Sequence, residues 1–417
     1  MHRPAIVASP SRRAIGRNLA LDLVVAVGIG VTMALVNAIL PTIARRDGLD
    51  PIGLSALAAA PYVANLLGAF AGRVGPRTLV HLSLMRGAGA AALLALLVAP
   101  SALTAVIASA VFWLTYSLGG PYHFRLWGAM YPAASLGRVM GALGMTRAAA
   151  GALAAIGGGI LADRIGGSQA VAIVGAAGVV CAIAYAGFRV RTHSAPVSFS
   201  ARESVRALRQ QPHLVRLVVG QAFYGGGVIA ATPLMALVYV DRLHLSVADV
   251  GVVGVLTAIA TTMTYPLWGA FADRRGGART LALGSAIGAA SVVAYAVAPS
   301  VAILWIAAAA AGIASGAIDV GINAAVSAET PMATRAAAMA GWNALTGARG
   351  IVAAFLMSIL IHAGLVDLTG ALVLCAAMAA VGVGIFVRAG RPASRALVAE
   401  SPGRSVQPVA AAPLVRT

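Results

Sequence analysis

Lysine is absent from this chain: each of its 30 basic residues is arginine. Charge of any kind is scarce, since charged residues make up 10% of the 417 positions against 60% hydrophobic ones, and the mean hydropathy is +0.90. So little polar surface cannot cover a water-soluble globule, which excludes water as the solvent of the fold. Cysteine is nearly missing too. Cys181 and Cys375 both fall inside apolar runs, where they read as small packing residues without a disulfide or metal role. The sequence has no nucleotide-binding glycine loop, no Cys/His metal spacing and no nucleophile elbow. ATP-driven transport, a metal site, a cofactor and membrane hydrolysis therefore lack a carrier, and the chain reads as something other than an enzyme.

What is present is a series of twelve apolar runs, at 18–43, 51–72, 78–99, 102–131, 138–161, 168–189, 213–240, 248–272, 279–298, 301–326, 336–363 and 367–388. Each can cross the roughly 30 Å hydrocarbon core, which takes about 20 helical residues. None shows the two-residue alternation of a membrane β-barrel, whose strands span about 10 residues. The fold class is therefore all-α integral membrane. Span one follows a basic leader but outruns a signal peptide, and eleven spans follow it, so it reads as a retained helix.

A net charge of +18 would suggest nucleic acid in a soluble protein; here orientation explains it, and no nucleic-acid partner is expected. With a cytoplasmic N-terminus, the inside segments hold Arg3, Arg12, Arg13, Arg17, Arg73, Arg77, Arg138, Arg189, Arg191, Arg202, Arg206, Arg209, Arg216, Arg274, Arg275, Arg279, Arg335 and the arginines from Arg388 on. The outside loops hold Arg45, Arg46, Arg164 and Arg242, beside the acids Asp47, Asp163 and Asp241. This bias predicts a multi-pass inner-membrane protein with both termini in the cytoplasm.

The expected division is a tail over 1–17, a six-helix half over 18–189, a linker over 190–212, a second six-helix half over 213–388 and a disordered tail over 389–417. Within the linker, Arg202, Glu203, Arg206 and Arg209 suggest a short amphipathic helix. The halves carry a repeat: Gly68-Ala69-Phe70-Ala71-Gly72-Arg73-Val74-Gly75-Pro76-Arg77 recurs 201 residues later as Gly269-Ala270-Phe271-Ala272-Asp273-Arg274-Arg275-Gly276-Gly277-Ala278-Arg279. A parallel six-plus-six repeat with pseudo-symmetric halves is a transporter architecture.

These motifs resemble the major facilitator superfamily, whose loop between helices two and three carries a G-x-x-x-D-R-x-G-R-like pattern. The second copy fits through Gly269, Asp273, Arg274, Gly276 and Arg279, and the first through Gly68, Arg73, Gly75 and Arg77, with Gly72 in place of the acid. Further likeness lies in Arg138-Val139-Met140-Gly141, in Gly159-Ile160-Leu161-Ala162-Asp163-Arg164-Ile165-Gly166 and in Val36-Asn37-Ala38-Ile39-Leu40-Pro41. The resemblance implies that helices one, four, seven and ten line a cavity and that the motif acid holds the cytoplasmic side closed. The glycine motif with proline that marks drug antiporters in helix five is not there, since residues 151–159 contain no proline.

Transport needs a site reachable from each side in turn and, where it is driven by ions, a group that binds the ion. Ionisable residues inside spans are the candidates, because a charge in hydrocarbon costs several kcal/mol. Asp319 is the first choice for proton coupling; Ser315, Asp319 and Asn323 share one face of span ten at i, i+4 and i+8. Arg147 and Arg349, 202 residues apart, either attract an anionic solute or pair with Asp22 and Asp319 respectively. Asp22 reads as interfacial or coupling, and Arg86 and Arg125 as side chains that snorkel to water. Tyr116 and His123, with Gly119-Gly120-Pro121 interrupting span four, and Gln221 and Tyr224, before the flexible Gly225-Gly226-Gly227, are packing or cavity groups.

The resulting expectation is a monomeric, proton-coupled secondary transporter of a small hydrophobic or anionic organic solute, exporting rather than importing. Its rivals are an uncoupled facilitator, in which Asp319 and Arg349 neutralise each other, an uptake permease of the same fold, and a non-transporting scaffold or sensor.

Overall fold

The computed structural model describes residues 12–67, 75–190 and 201–390. Those residues form twelve long helices: α1 (Arg13–Arg46), α2 (Pro51–Leu67), α3 (Leu79–Val98), α4 (Ala102–Met130), α5 (Ala133–Ile165), α6 (Gly167–Gly187), α7 (Pro212–Arg242), α8 (Val247–Arg275), α9 (Gly277–Val297), α10 (Val301–Glu329), α11 (Met332–His362) and α12 (Leu368–Ala389). A short linker helix, Ala201–Arg209, joins the halves where the sequence placed an amphipathic segment. Eleven of the twelve are long and apolar enough to cross a membrane, and α2 is apolar over the 17 residues described. Several helices outrun their hydropathy by one or two turns, as α5 does at both ends, because hydrogen bonding continues where hydrocarbon stops.

Local chemistry sets the helix ends. Thr78, Ser101 and Asp367 each accept a backbone N–H three residues on, and Ser246 forms a capping box with Asp249. At the ends of α5 and α8 a single glycine with positive φ, Gly166 at 100° and Gly276 at 81°, turns the chain straight into the next helix. The five-residue π turns Leu35–Ile39 in α1 and Val238–Arg242 in α7 sit at nearly equivalent positions of the two halves.

Two sequence expectations need correcting. Gly119-Gly120-Pro121 does not interrupt α4, which runs unbroken with Pro121 inside it. Nor do Gly225, Gly226 and Gly227 loosen α7; all three are buried within continuous helix. They let neighbours approach: a Cβ on Gly227 would lie 2.3 Å from the Cys375 carbonyl oxygen of α12, and one on Gly225 would meet the Arg349 guanidinium.

Because successive helices alternate in direction, both described termini lie at one end of the bundle, here the terminal end, and the α1–α2, α5–α6 and α7–α8 turns lie at the other, the far end. Hydrophobic packing is distributed unequally between them. One large core joins both halves toward the far end, with Leu35, Ile39 and Leu54 packed in the same cluster as Leu234, Val250 and Leu304. Toward the terminal end the core divides into one cluster per half, around Leu82 and Tyr185 in the first and around Leu217 and Phe386 in the second. The outer surface is apolar as well, with Val98, Leu153, Met263 and Val352 exposed as a hydrocarbon solvent requires.

The α7–α12 approach yields a test of the packing. Gly227→Val should clash with α12 backbone and lower stability by about 1–3 kcal/mol or more, whereas Gly141→Val, which would meet nothing within 4 Å, should be neutral. Thermal unfolding of the two variants in detergent checks this, and equal melting temperatures would refute it.

Candidate functional site

The far end is sealed by electrostatics as well as by packing. Arg45 of α1 pairs with Asp241 of α7 at 2.8 Å, and Arg46 pairs with Asp163 of α5 at 3.2 Å. Arg46 also donates to the Leu245 carbonyl. Asp163 accepts the Val247 and Ala248 N–H groups, at 3.1 and 2.9 Å, so it closes the start of α8 from the opposite half. Beneath this clasp α5 and α8 touch backbone to backbone: a Cβ on Gly251 would lie 2.3 Å from the Ala155 oxygen, and one on Gly159 would lie 2.6 Å from the Val247 oxygen.

At the terminal end a cavity of about 520 Å³ opens between α8 and α10, lined by Tyr265, Gly269, Asp273, Asp319, Asn323 and Ser327 among others. Ser315, Asp319 and Asn323 are all exposed along one face of α10, as their spacing requires. The Tyr265 hydroxyl donates to Asp319 Oδ2 at 2.7 Å, and the Asn323 side chain donates to the Asp319 carbonyl at 2.8 Å. Of the loop motifs, Gly68 and Arg73 fall outside the described residues, as does Gly72; Gly75 is buried and Arg77 exposed. In the second copy Gly269 and Asp273 line the cavity, Arg274 is exposed, Gly276 ends α8, and Arg279 donates to the Gly390 carbonyl.

Asp22 does not face water: it is 1% exposed, enclosed within the first half. Its Oδ2 accepts from Trp127 Nε1 at 2.8 Å and from the Tyr131 hydroxyl at 3.0 Å, while its Oδ1 lies 3.3 Å from His123 Nε2. The other ring nitrogen of His123 is 3.1 Å from the Tyr185 hydroxyl. A neutral imidazole satisfies both contacts, donating from Nε2 and accepting at Nδ1. Arg86 does not snorkel. It is 9% exposed, with its guanidinium 4.1 Å from the centroid of the Tyr116 ring, and its charge acts on Tyr185 and His123. Arg125, half-buried, stacks over Tyr122.

The pairings expected for the two repeat-related arginines do not form. Arg147 is exposed on α5 and bonds to no acid among the described residues; Asp22 already has three donors, and the charge of Arg147 reaches instead both His123 and Tyr265. Arg349 points at α7 rather than at Asp319: it donates to the Gln221 carbonyl, wraps Gly225 and places its charge beside Tyr62 of α2. Gln221 and Tyr224 are buried packing groups, with the Tyr224 hydroxyl seated against Gly288. Sequence reasoning missed Tyr265, whose 54-residue separation from Asp319 carries no signal. It also passed over the capping role of Asp163, which the shared Ala-Asp-Arg-x-Gly-Gly ends of α5 and α8 could have suggested.

Residues 217–416 match the family model described as Major Facilitator Superfamily. Among solved structures the chain is similar to the nucleoside transporter NupG, at 11% identity and a TM-score of 0.69 over 90% of this chain and 99% of that one. It is also similar to a bacterial homolog of the human lysosomal transporter Spinster in an inward-facing, unoccupied conformation, at 15% identity and 0.68 over 92% and 98%. An auto-inhibited POT family peptide transporter is similar at 12% identity and 0.69 over 93% and 99%. At these identities the likeness is one of fold. No curated protein sequence matches the chain.

Two measurements follow from this geometry. Asp22→Ala would strand the three donors it holds, two of them buried, and should cost about 3–5 kcal/mol, while Asp319→Ala, at an exposed position, should stay within about 0.5 kcal/mol; a similar fall in melting temperature for both would contradict the cage. In a background with Cys181→Ala and Cys375→Ala, the clasp variant Arg45→Ala/Asp163→Asn should label a Val250→Cys thiol about tenfold faster from the far side. That corresponds to about 1.4 kcal/mol, in line with two partly exposed pairs. Unchanged labelling would show that the apolar core alone seals the far end.

Proposed function

We propose that this chain is a member of the major facilitator superfamily and a secondary active transporter that exports a small organic solute across the bacterial inner membrane, as a monomer, by proton-coupled alternating access. The observation that carries the reading is the asymmetry of the bundle. One shared core and two cross-half ion pairs close the far end, while at the terminal end the core is split and a cavity reaches Asp319. A site open to one side and sealed from the other is half of an alternating-access cycle. Arginine supports the orientation: Arg17, Arg77, Arg138, Arg189, Arg209, Arg274 and Arg388 stand at the terminal end, and the far end holds four arginines that bond to acids or carbonyls or lie at the surface.

The return half of the cycle needs a seal at the terminal end, and the sequence holds one in reserve. Ala162-Asp163-Arg164-Ile165-Gly166-Gly167 ends α5, and Ala272-Asp273-Arg274-Arg275-Gly276-Gly277 ends α8. These helices run antiparallel against each other across the halves. Asp163 caps the start of α8, whereas Asp273 has no partner among the described residues and the start of α5, behind Pro132, has no side-chain cap. Rocking the halves would release the first contact and let Asp273 meet the free N–H groups of α5, the closing role that the family resemblance gives to the motif acid.

Asp319 is our coupling group. It sits in a water-reached cavity with one side-chain donor, so it can gain or lose a proton without dismantling the fold. Arg349 is held elsewhere, which removes the charge pair on which an uncoupled facilitator would rest. The test is solute-driven proton movement in proteoliposomes across a broad panel of organic compounds. Wild-type chain should move protons with some solute, and Asp319→Asn should abolish the proton signal while retaining solute exchange. Equal proton movement in the mutant would reduce Asp319 to a cavity wall.

A further inference from the structure

Arg86 of α3 carries a charge that the transport cycle leaves unused. It is 9% exposed, inside the first half, and a guanidinium stays protonated wherever a protein places it. Helix α4 makes room for it: a Cβ on Gly119 would lie 3.1 Å from Arg86 Nε, and one turn earlier the Tyr116 ring has its centroid 4.1 Å from the guanidinium carbon. The ring attracts the charge but leaves two donors unserved, since Nε and Nη1 are both buried and neither has an acceptor among the described residues. Nor does an acid reach the group. The ion pairs among the described residues are Arg45–Asp241, Arg46–Asp163, His123–Asp22 and His213–Glu329, and Arg86 belongs to none of them. Asp22, the buried acid of this half, has its oxygens taken by Trp127, Tyr131 and His123.

Beside the guanidinium lies a void of about 30 Å³ enclosed by α1, α3, α4 and α6. Its polar walls are Arg86, Thr32, Thr115, Tyr116, Cys181 and Tyr185, and no carboxylate lines it. The threonines spend their protons on their own helices: Thr32 donates to the Gly28 carbonyl at 2.7 Å and Thr115 to the Phe112 carbonyl at 2.9 Å. The Tyr185 hydroxyl lies 3.1 Å from His123 Nδ1. The void therefore has a net positive wall with two N–H groups to give and nothing of the chain's own to receive them. A water needs about 10–15 Å³, so the space holds one or two waters or one monatomic anion, and it is too small for an organic acid. Water would accept an N–H bond but leave the charge uncompensated. A small anion does both, through charge-assisted hydrogen bonds, and so relieves the strong penalty on a buried charge without a partner.

We infer that the first half binds one halide ion against Nε and Nη1 of Arg86, as a counterion built into its polar core. The site stands apart from the cavity between α8 and α10 and is independent of what the protein carries. The experiment places the full chain in detergent in sodium gluconate, whose anion is too large for the void, and replaces gluconate stepwise by chloride or bromide at constant sodium and ionic strength. Either halide should raise the melting temperature of wild-type protein along a saturating curve. Arg86→Lys keeps the charge but loses the planar pair of donors, and should move the midpoint of that curve to about tenfold higher halide. Arg86→Met should remove the halide dependence altogether. Crystals of the wild type soaked in bromide should show an anomalous peak within hydrogen-bond distance of Nε and Nη1, a measurement that needs no variant and so stands even where Arg86→Met does not fold. The inference is overturned if wild type melts at the same temperature in gluconate and in chloride, if the halide effect keeps its full size in Arg86→Met, or if the bromide crystals show water alone beside Arg86.

Discussion

Hydrocarbon offers no hydrogen bond, so every backbone N–H and C=O that crosses it must be satisfied by the chain itself. That constraint fixes twelve finished helices and leaves the sequence only the choice of how they sit against each other. Apolar attraction cannot make that choice, since lipid tails are as apolar as leucine. Close approach makes it instead: Gly251 over the Ala155 carbonyl, Gly159 over Val247 and Gly227 over Cys375 bring backbones near enough for dispersion to act over many atoms. Two of these three contacts cross between the halves, and both lie toward the far end. The halves are thus hinged where small residues meet and free where they do not.

This explains which parts of the molecule were legible in the sequence. Span positions, the repeat and the polar face of span ten follow from composition and helical period, and Ser315, Asp319 and Asn323 share an exposed face as the period demands. Partners across helices do not follow from a period. Repeat spacing sets Arg147 and Arg349 at matching places in α5 and α11, yet one is exposed on its helix and the other lies against α7, because the neighbours differ: Gly225 leaves room for the Arg349 guanidinium. Distance from a span end likewise misjudged Asp22, whose burial is created by Trp127, Tyr131 and His123 arriving from other parts of the chain.

The two halves share a fold but divide the polar work. At the offset of 201 to 202 residues, Asp22, Arg86 and Tyr185 correspond to Tyr224, Gly288 and Phe386. The first set builds a buried network of charge and hydroxyl; in the second, the Tyr224 hydroxyl fills the space over Gly288 and Phe386 is wholly buried in apolar company. The first half is therefore stiffened by a polar core and the second by an apolar one. The second half, in turn, carries the exposed acid.

The same contrast decides which acid can couple. A carboxylate that carries protons has to trade its bond partners for a proton and back many times. Asp22 holds three partners in a sealed interior, and protonating it would cost the Trp127 and Tyr131 hydrogen bonds their charged acceptor. Truncating a buried pair costs about 3–5 kcal/mol, and a transporter that paid a comparable amount in each turnover would slow by roughly two to three and a half orders of magnitude, since about 1.4 kcal/mol is a factor of ten. Asp319 gives up only the Tyr265 hydroxyl, in a cavity where water can take its place. Within the proposed proton coupling, burial gives the first acid a structural place and leaves exchange to the second.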